Sequence, residues 1–319
     1  MALIPIVFST DHRYVMPTGV AICSLLAASH DEQYDVFVLI SDDVSDDDCR
    51  LLRKQVEAGS ASDGVSSRIN FIKSGNYFSD AYEVRGITET AYYRLLIPWL
   101  IPQYDKVFYS DVDVIFLHGL SELYSTDMGD AYIAGVNFDE YSDGFMTPHI
   151  KKLGLNTGKY INSGFLLINS RLIRNLDLKD TFMKYARKKY KYQDQDIINI
   201  IYKDRIAYLS PKSNCKASHV ERFGMEDCGL IHYTGIKPWV GFTYCWEKWW
   251  EIYRQSIFYD SALRSRVIIN IMTVQGWTNE EFEIGFTPLA RIARKLSLKF
   301  PALNKTLIRI IRFFYRIEC

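Results

Sequence analysis

The sequence predicts an α/β fold built on a largely parallel sheet, and three observations predict it. Short apolar runs alternate with helical patterns through the first half of the chain, the signature of βαβ units. Those runs are almost continuously apolar, as strands covered on both faces are. The 319 residues, 48% hydrophobic and 24% charged, suffice for one large α/β domain with a substantial core.

In chain order, Ile4–Phe8 reads as the first strand. Ser9-Thr10-Asp11 then turns into a helical run through Val20–Leu26, which sets a helix start at the carboxyl end of a strand, where ligands of open α/β sheets collect. Tyr34–Ile40 reads as the second strand, Asp46–Val56 as a helix and Ile69–Ile72 as the third strand. Thr90–Ile97 is predicted helical and ended by Pro98. Asp105–Phe116 reads as one apolar strand with two carboxylates in its middle. Ala131–Val136 and Gly164–Asn169 follow as strands, the second apolar enough to be central. Arg171–Tyr190 and Gln195–Tyr202 read as helices, and Gly229–Gly235 as a late strand ending in a turn. Past about Asp260 the composition becomes basic and amphipathic, so the predicted organisation is a domain over residues 1–260 and a C-terminal helical, basic amphipathic extension over residues 261–319.

The formal net charge of +0 gives nothing that steers the whole protein to nucleic acid, which is not expected as a partner. The six cysteines show no paired C-x-x-C spacing, so free thiols in a reducing compartment are expected, without a structural zinc site. The N-terminus enters Ile4–Phe8 without a charged segment and a long apolar stretch, and a cytoplasmic location is the expectation.

The chemistry concentrates at Asp111 and Asp113. In an extended segment, residues two apart project to the same side, so two hard oxygen donors meet at one point. Both flanks are apolar, and a buried unpaired charge is costly unless it meets a cation or a partner. Such a pair suits Mn²⁺ or Mg²⁺ acting on a nucleotide diphosphate. His232, at the end of the late strand, is a candidate third ligand, although a single histidine in an apolar run also fits a structural role. Its neighbours favour ligation: Gly235 lets backbone approach a phosphate, and Lys237 offers a point charge.

Four blocks of sequence, Val7–Tyr14, Tyr109–Val114, Tyr160–Asn169 with Tyr192–Ile197, and His232–Trp239, together resemble the retaining glycosyltransferases of family 8, a family that includes bacterial lipooligosaccharide galactosyltransferases and glycogenin. The resemblance runs from about Ile4 to Trp239. It implies a GT-A fold, a Rossmann-like nucleotide-sugar-binding domain, using a UDP-sugar and Mn²⁺ or Mg²⁺ to transfer glucose or galactose to a glycan acceptor with retention. By this resemblance Asp111, Asp113 and His232 hold the metal, while Thr10, Asp11 and Tyr14 hold uracil and ribose. Asp11 alternatively caps the helix that follows it. Arg94 matches a family arginine beside the donor; its bland alternative is an ion pair on a solvated helix face. Asn162, Asp194 and Gln195 match the positions around the transferred sugar, with Gly235 and Lys237 beside the diphosphate. A double displacement needs a nucleophile, for which Asp194 or Gln195 stands nearest; a front-face route needs none and is favoured. Only Ile236 separates Gly235 from Lys237, where many family members have two residues, and this loosens the assignment of the lysine. Asp139 falls in the acceptor region.

From Leu289 onward, Arg291, Arg294, Lys295, Lys299, Lys305, Arg309, Arg312 and Arg316 interleave with apolar residues, and Pro301 divides the run. Peripheral contact with an anionic membrane fits this pattern, as does packing against the domain with a solvated cationic face. A bacterial surface-glycan precursor, lipid-linked and presented on the inner face of the membrane, is the acceptor class that suits the first. Competing readings are a sugar nucleotidyltransferase, which needs a Gly-rich phosphate loop that Ser9–Arg13 lacks, a non-catalytic carbohydrate-binding or scaffold protein, and a self-glucosylating primer enzyme.

Overall fold

The apolar run Ile4–Thr10 forms β1 and Tyr34–Ile40 forms β2, every residue of which is buried. The computed structural model describes residues 3–28, 31–60, 67–73, 75–84, 88–138, 144 and 146–275. Further along the chain come β3 (Arg68–Lys73), β4 (Val107–Ser110), β5 (Val114–Phe116), β6 (Ile133–Asn137), β7 (Ile161–Ile168), β8 (Ile206–Leu209), β9 (Cys215–Lys216) and β10 (Leu230–His232). Seven strands make one sheet in the order β3-β2-β1-β4-β7-β6-β8, and β5-β10-β9 make a second, smaller one. β1 runs parallel to β2 and β4, and β2 to β3, whereas β7 is antiparallel to β4 and β6.

Alternation along the strands splits the core into two layers. Ile6, Phe8, Val36 and Val38 face one side, with the helices α1 (Val15–Ala27) and α2 (Asp46–Ser60), while Val7, Phe37 and Leu39 face the other. Both sides are covered, which is why these strands read as continuous apolar runs. Gly19 lets α1 approach Phe258 closely, since a Cβ there would lie 2.0 Å from the ring.

The described residues fall into two compact units, Met1–Pro238 with Thr243–Tyr259, and Trp239–Phe242 with the helix Ser261–Gln275. The basic residues from Arg291 to Arg316 and Asp139 lie outside the described residues.

Four expectations change. The segment Asp105–Phe116 is not one strand: β4 ends at Ser110, the chain turns through Asp111–Asp113, and β5 enters the small sheet antiparallel to β10. A sheet with apolar cover on both faces cannot accommodate two ionised side chains, so the chain leaves it where the carboxylates begin. Pro98 does not end a helix. A 3₁₀ helix over Glu89–Leu96 passes into a short α-helix, Ile97–Leu100, with Pro98 in its first turn, where a missing N–H costs nothing. The stretch from Arg171 to Tyr190 forms two helices, Ser170–Arg174 and Lys179–Ala186, separated around Asn175–Asp177. Finally, the thiols are not all free: Cys215 and Cys228 form a disulfide, while Cys23, Cys49 and Cys245 remain reduced.

Candidate active site

The turn between β4 and β5 and the end of β10 bring Asp111, Asp113 and His232 together. One ligand atom from each lies within 4.8 Å of the others. His232 Nε2 is 3.2 Å from Asp113 Oδ1 and 3.7 Å from Asp111 Oδ2. Backbone pairing sets this approach, because His232 stands opposite Val114 and the Tyr233 N–H donates to the Asp113 carbonyl at 2.9 Å. The three meet over Gly164 of β7. A Cβ there would sit 2.2 Å from His232 Cε1 and 2.6 Å from Asp111 Oδ2, so only glycine leaves room for the cluster. Two carboxylates and an imidazole converging on one point are a donor set that fits a divalent cation such as Mn²⁺.

Lys237 pairs with Asp113 Oδ2 and also donates to the Tyr233 carbonyl at 2.8 Å. Burial by itself would raise the Asp113 pKa, but Lys237 and His232 hold the carboxyl well below the usual carboxylate range. Among the described residues, chain neighbours aside, no atom lies within 4 Å of where a Cβ of Gly235 would stand.

Arg94 is buried, not on a solvated face. Its Nη2 lies 2.8 Å from Asp111 Oδ1, its Nε 3.2 Å from Asp194 Oδ2, and its Nη1 donates to the Ser163 carbonyl at 2.7 Å. The guanidinium also stacks 4.2 Å from the Tyr109 ring centre, and Tyr109 donates to the same Asp111 oxygen at 2.9 Å. Burial raises the Asp194 pKa from the ordinary 3.8 to about 6, with Arg94 opposing the rise. The contact with Arg94 is close enough for ion pairing, but Asp194 Oδ2 is not aligned for a hydrogen bond.

Asn162 and Gln195 adjoin this group. Asn162 Nδ2 donates to Gln195 Oε1 at 3.0 Å, and Gln195 Nε2 donates to the Tyr160 hydroxyl at 3.2 Å. At the end of β1, Thr10 and Asp11 are buried and Tyr14 is partly exposed. Asp11 makes no side-chain cap bond to the helical turn His12–Tyr14. Its Oδ2 instead accepts from Arg13 at 2.8 Å, and its Oδ1 is buried without a hydrogen-bond partner among the described residues. An orphaned carboxylate oxygen at the carboxyl end of a parallel strand is placed to receive a ligand hydroxyl or N–H.

Three participants escaped the sequence reading. Gly164 was legible only as part of a strand, because close approach across a sheet leaves no mark in one sequence. Asn214, whose Oδ1 lies 3.0 Å from His232 Nδ1, sits in a polar loop without periodicity. Asp196 is fully buried, accepting from Tyr160, from the Tyr192 N–H at 3.0 Å, and from His149 Nε2 at 2.9 Å. The repeated Gln-Asp pattern of residues 193–196 was the signal that could have drawn attention to it.

The profile of Glycosyl transferase family 8 matches residues 5–242. A lipopolysaccharide 1,2-glucosyltransferase of Escherichia coli is 31% identical over 166 residues, which cover 46% of this chain and 49% of that protein. Thus the chain spans about half the length of that relative (49%). General stress protein A of Bacillus subtilis is 26% identical over 258 residues, covering 73% of this chain and 86% of its own. Among solved structures, the galactosyltransferase LgtC in complex with donor and acceptor sugar analogues superposes with a TM-score of 0.67 at 25% identity, covering 82% of this chain and 99% of that one. The chain belongs to glycosyl transferase family 8. Its α/β domain has the GT-A fold of LgtC.

Proposed function

We propose that the protein is a metal-dependent, retaining hexosyltransferase that moves glucose or galactose from a UDP-sugar to a surface-glycan precursor. The observation that carries the reading is the convergence of Asp111, Asp113 and His232 beside the buried Arg94–Asp194 pair. The acceptor class follows from relatives named for lipopolysaccharide glucosyl transfer in Escherichia coli.

Asp111, Asp113 and His232 would hold Mn²⁺ or Mg²⁺, which when bound supplies Lewis-acid stabilisation of the charge on departing UDP. Lys237 shares that load as a cation already drawn to Asp113. Thr10, Asp11 and Tyr14 receive the nucleoside, with the open Asp11 Oδ1 accepting from it. Asn162, Asp194, Gln195 and Arg94 orient the hexose. Gln195 has both ends of its amide engaged, Oε1 by Asn162 and the Ser163 N–H and Nε2 by Tyr160, which favours positioning over attack. In the front-face route the acceptor hydroxyl attacks the anomeric carbon as UDP leaves from the same side, and the leaving phosphate takes the hydroxyl proton. The protein's work there is alignment and exclusion of water.

The basic C-terminal run is proposed to lie on an anionic membrane at its inner, cytoplasmic face, near a lipid-linked acceptor. Among the described residues no helix is long and apolar enough to cross a membrane.

The test is UDP release from UDP-glucose and UDP-galactose, with Mn²⁺, Mg²⁺ or EDTA. The expected result is release from one donor that needs metal and is lost in Asp113→Ala. If the wild type shows neither turnover nor metal-dependent UDP binding, the reading fails and a non-catalytic carbohydrate-binding role takes its place.

A further inference from the structure

We propose that Asn214 is a positioning residue whose amide sets the tautomer of His232 and couples that ligand to the sugar-facing amides of Asn162 and Gln195. Metal affinity and recognition of the transferred hexose are then linked through one side chain. The inference rests on the reading above, in which Asp111, Asp113 and His232 hold a divalent cation.

The direction of every bond in the chain of amides follows from two backbone donors, since an N–H cannot accept. The Gly164 N–H meets one end of Asn162 at 3.0 Å, so that end is the oxygen. The Ser163 N–H meets one end of Gln195 at 3.1 Å, so that end too is an oxygen, and it accepts from Asn162 Nδ2 at 3.0 Å. Asn162 Oδ1 also receives a bond of 2.9 Å from Asn214, which fixes that end of Asn214 as Nδ2. The other end of Asn214 is therefore Oδ1, 3.0 Å from His232 Nδ1, and Nδ1 must carry the proton. With Nδ1 keeping its proton against Asn214, Nε2, which faces Asp113 and Asp111 at 3.2 and 3.7 Å, is the nitrogen left to a cation, and the ring that binds one is the Nδ1–H tautomer. A metal-binding imidazole needs that tautomer, and the partner of its other nitrogen holds the ring's orientation.

The fold keeps Asn214 in place. It closes the 3₁₀ turn Pro211–Asn214, is buried, and precedes Cys215 of β9, which pairs in parallel with β10 so that Cys215 stands beside Ile231 and Lys216 beside His232. Asn214 thus stands immediately before the strand next to the one that carries the ligand. Its two ends meet two different functions: the acceptor end serves His232, and the donor end serves Asn162.

That division defines the test. Mn²⁺ binding is measured without nucleotide by the electron paramagnetic resonance of free Mn²⁺, and UDP, UDP-glucose and UDP-galactose binding by calorimetry at saturating Mn²⁺. Asn214→Ala removes both ends and should weaken Mn²⁺ binding about ten- to a hundredfold. Asn214→Asp keeps an acceptor for His232 but sets an oxygen against Asn162 Oδ1. It should hold Mn²⁺ within about threefold of wild type, while the gain in affinity of the preferred UDP-hexose over UDP falls about fivefold. Wild-type Mn²⁺ affinity in Asn214→Ala overturns the proposal, as does Asn214→Asp losing metal as Ala does or leaving the hexose gain unchanged. Should Asn214→Ala not fold, the Asp variant decides alone. Absence of Mn²⁺ binding by the wild type would instead fail the underlying metal reading, an outcome separate from any of these.

Discussion

At residue 164 a hydrogen atom stands where any other amino acid would place a carbon against His232 and Asp111. Gly164→Ala is expected to abolish Mn²⁺-dependent turnover and to lower stability by about 1–3 kcal/mol through overpacking. Thermal unfolding and Mn²⁺ titration read the two effects separately. Arg94 carries a different load, bridging Asp111 and Asp194 in a buried setting. Removing it in Arg94→Ala should cost about 3–5 kcal/mol, since the buried Asp194 and the partly buried Asp111 lose their shared cation. Arg94→Lys should recover part of the stability but little of the turnover, because an ammonium cannot span both oxygens. Asp194 titrates differently folded and unfolded, its pKa raised from 3.8 to about 6. A raised carboxyl pKa means the folded state holds the extra proton. The contribution to stability is complete below about pH 3.8 and is lost as pH rises through about 6. Asp194→Asn should therefore gain stability relative to wild type over that interval, as denaturant titrations at several pH values would show; a constant difference would contradict it. Asp111, Asp113 and His232 were legible in the sequence because hard donors in apolar strands are conspicuous. Asn214 was not, since an asparagine in a polar loop resembles every other.

Elements were legible where periodicity was strong. β1, β2, β3 and the helices α1 and α2 lie where the apolar patterning places them. β8 and β9 were missed because four-residue and two-residue strands are too short for any period to register. The break of the Asp105–Phe116 run was missed because β-propensity continues through Val112 while pairing changes from one sheet to the other. The Cys215–Cys228 bridge joins the start of β9, which Asn214 immediately precedes, to the residues leading into β10, which carries His232. Its closed loop implies a contribution of about 2–4 kcal/mol. Cys228→Ser should lower the melting temperature under oxidising conditions and lose its effect when the wild type is reduced. Peptide mapping without reductant should recover Cys215 and Cys228 linked.

For the whole molecule, a formal net charge of +0 conceals a segregation: the basic residues crowd the C-terminal run, so the remainder is acidic by difference. A field of that kind orients a protein on an anionic surface as much as it holds it there. Replacing Arg309, Arg312 and Arg316 by glutamate should abolish sedimentation with phosphatidylglycerol vesicles and leave UDP-hexose hydrolysis in solution unchanged. Loss of hydrolysis would place the run in the catalytic domain's own packing. Sequence by itself determined the layered α/β class, the carboxylate pair and its histidine, because burial of apolar strands and isolation of charge are properties of short segments. Tertiary structure decided that the chain changes sheets at Asp111, that Gly164 makes room for the cluster, and that Asn214 faces His232. Each of those depends on atoms far apart in the chain meeting within hydrogen-bond distance, and no local pattern encodes such a meeting.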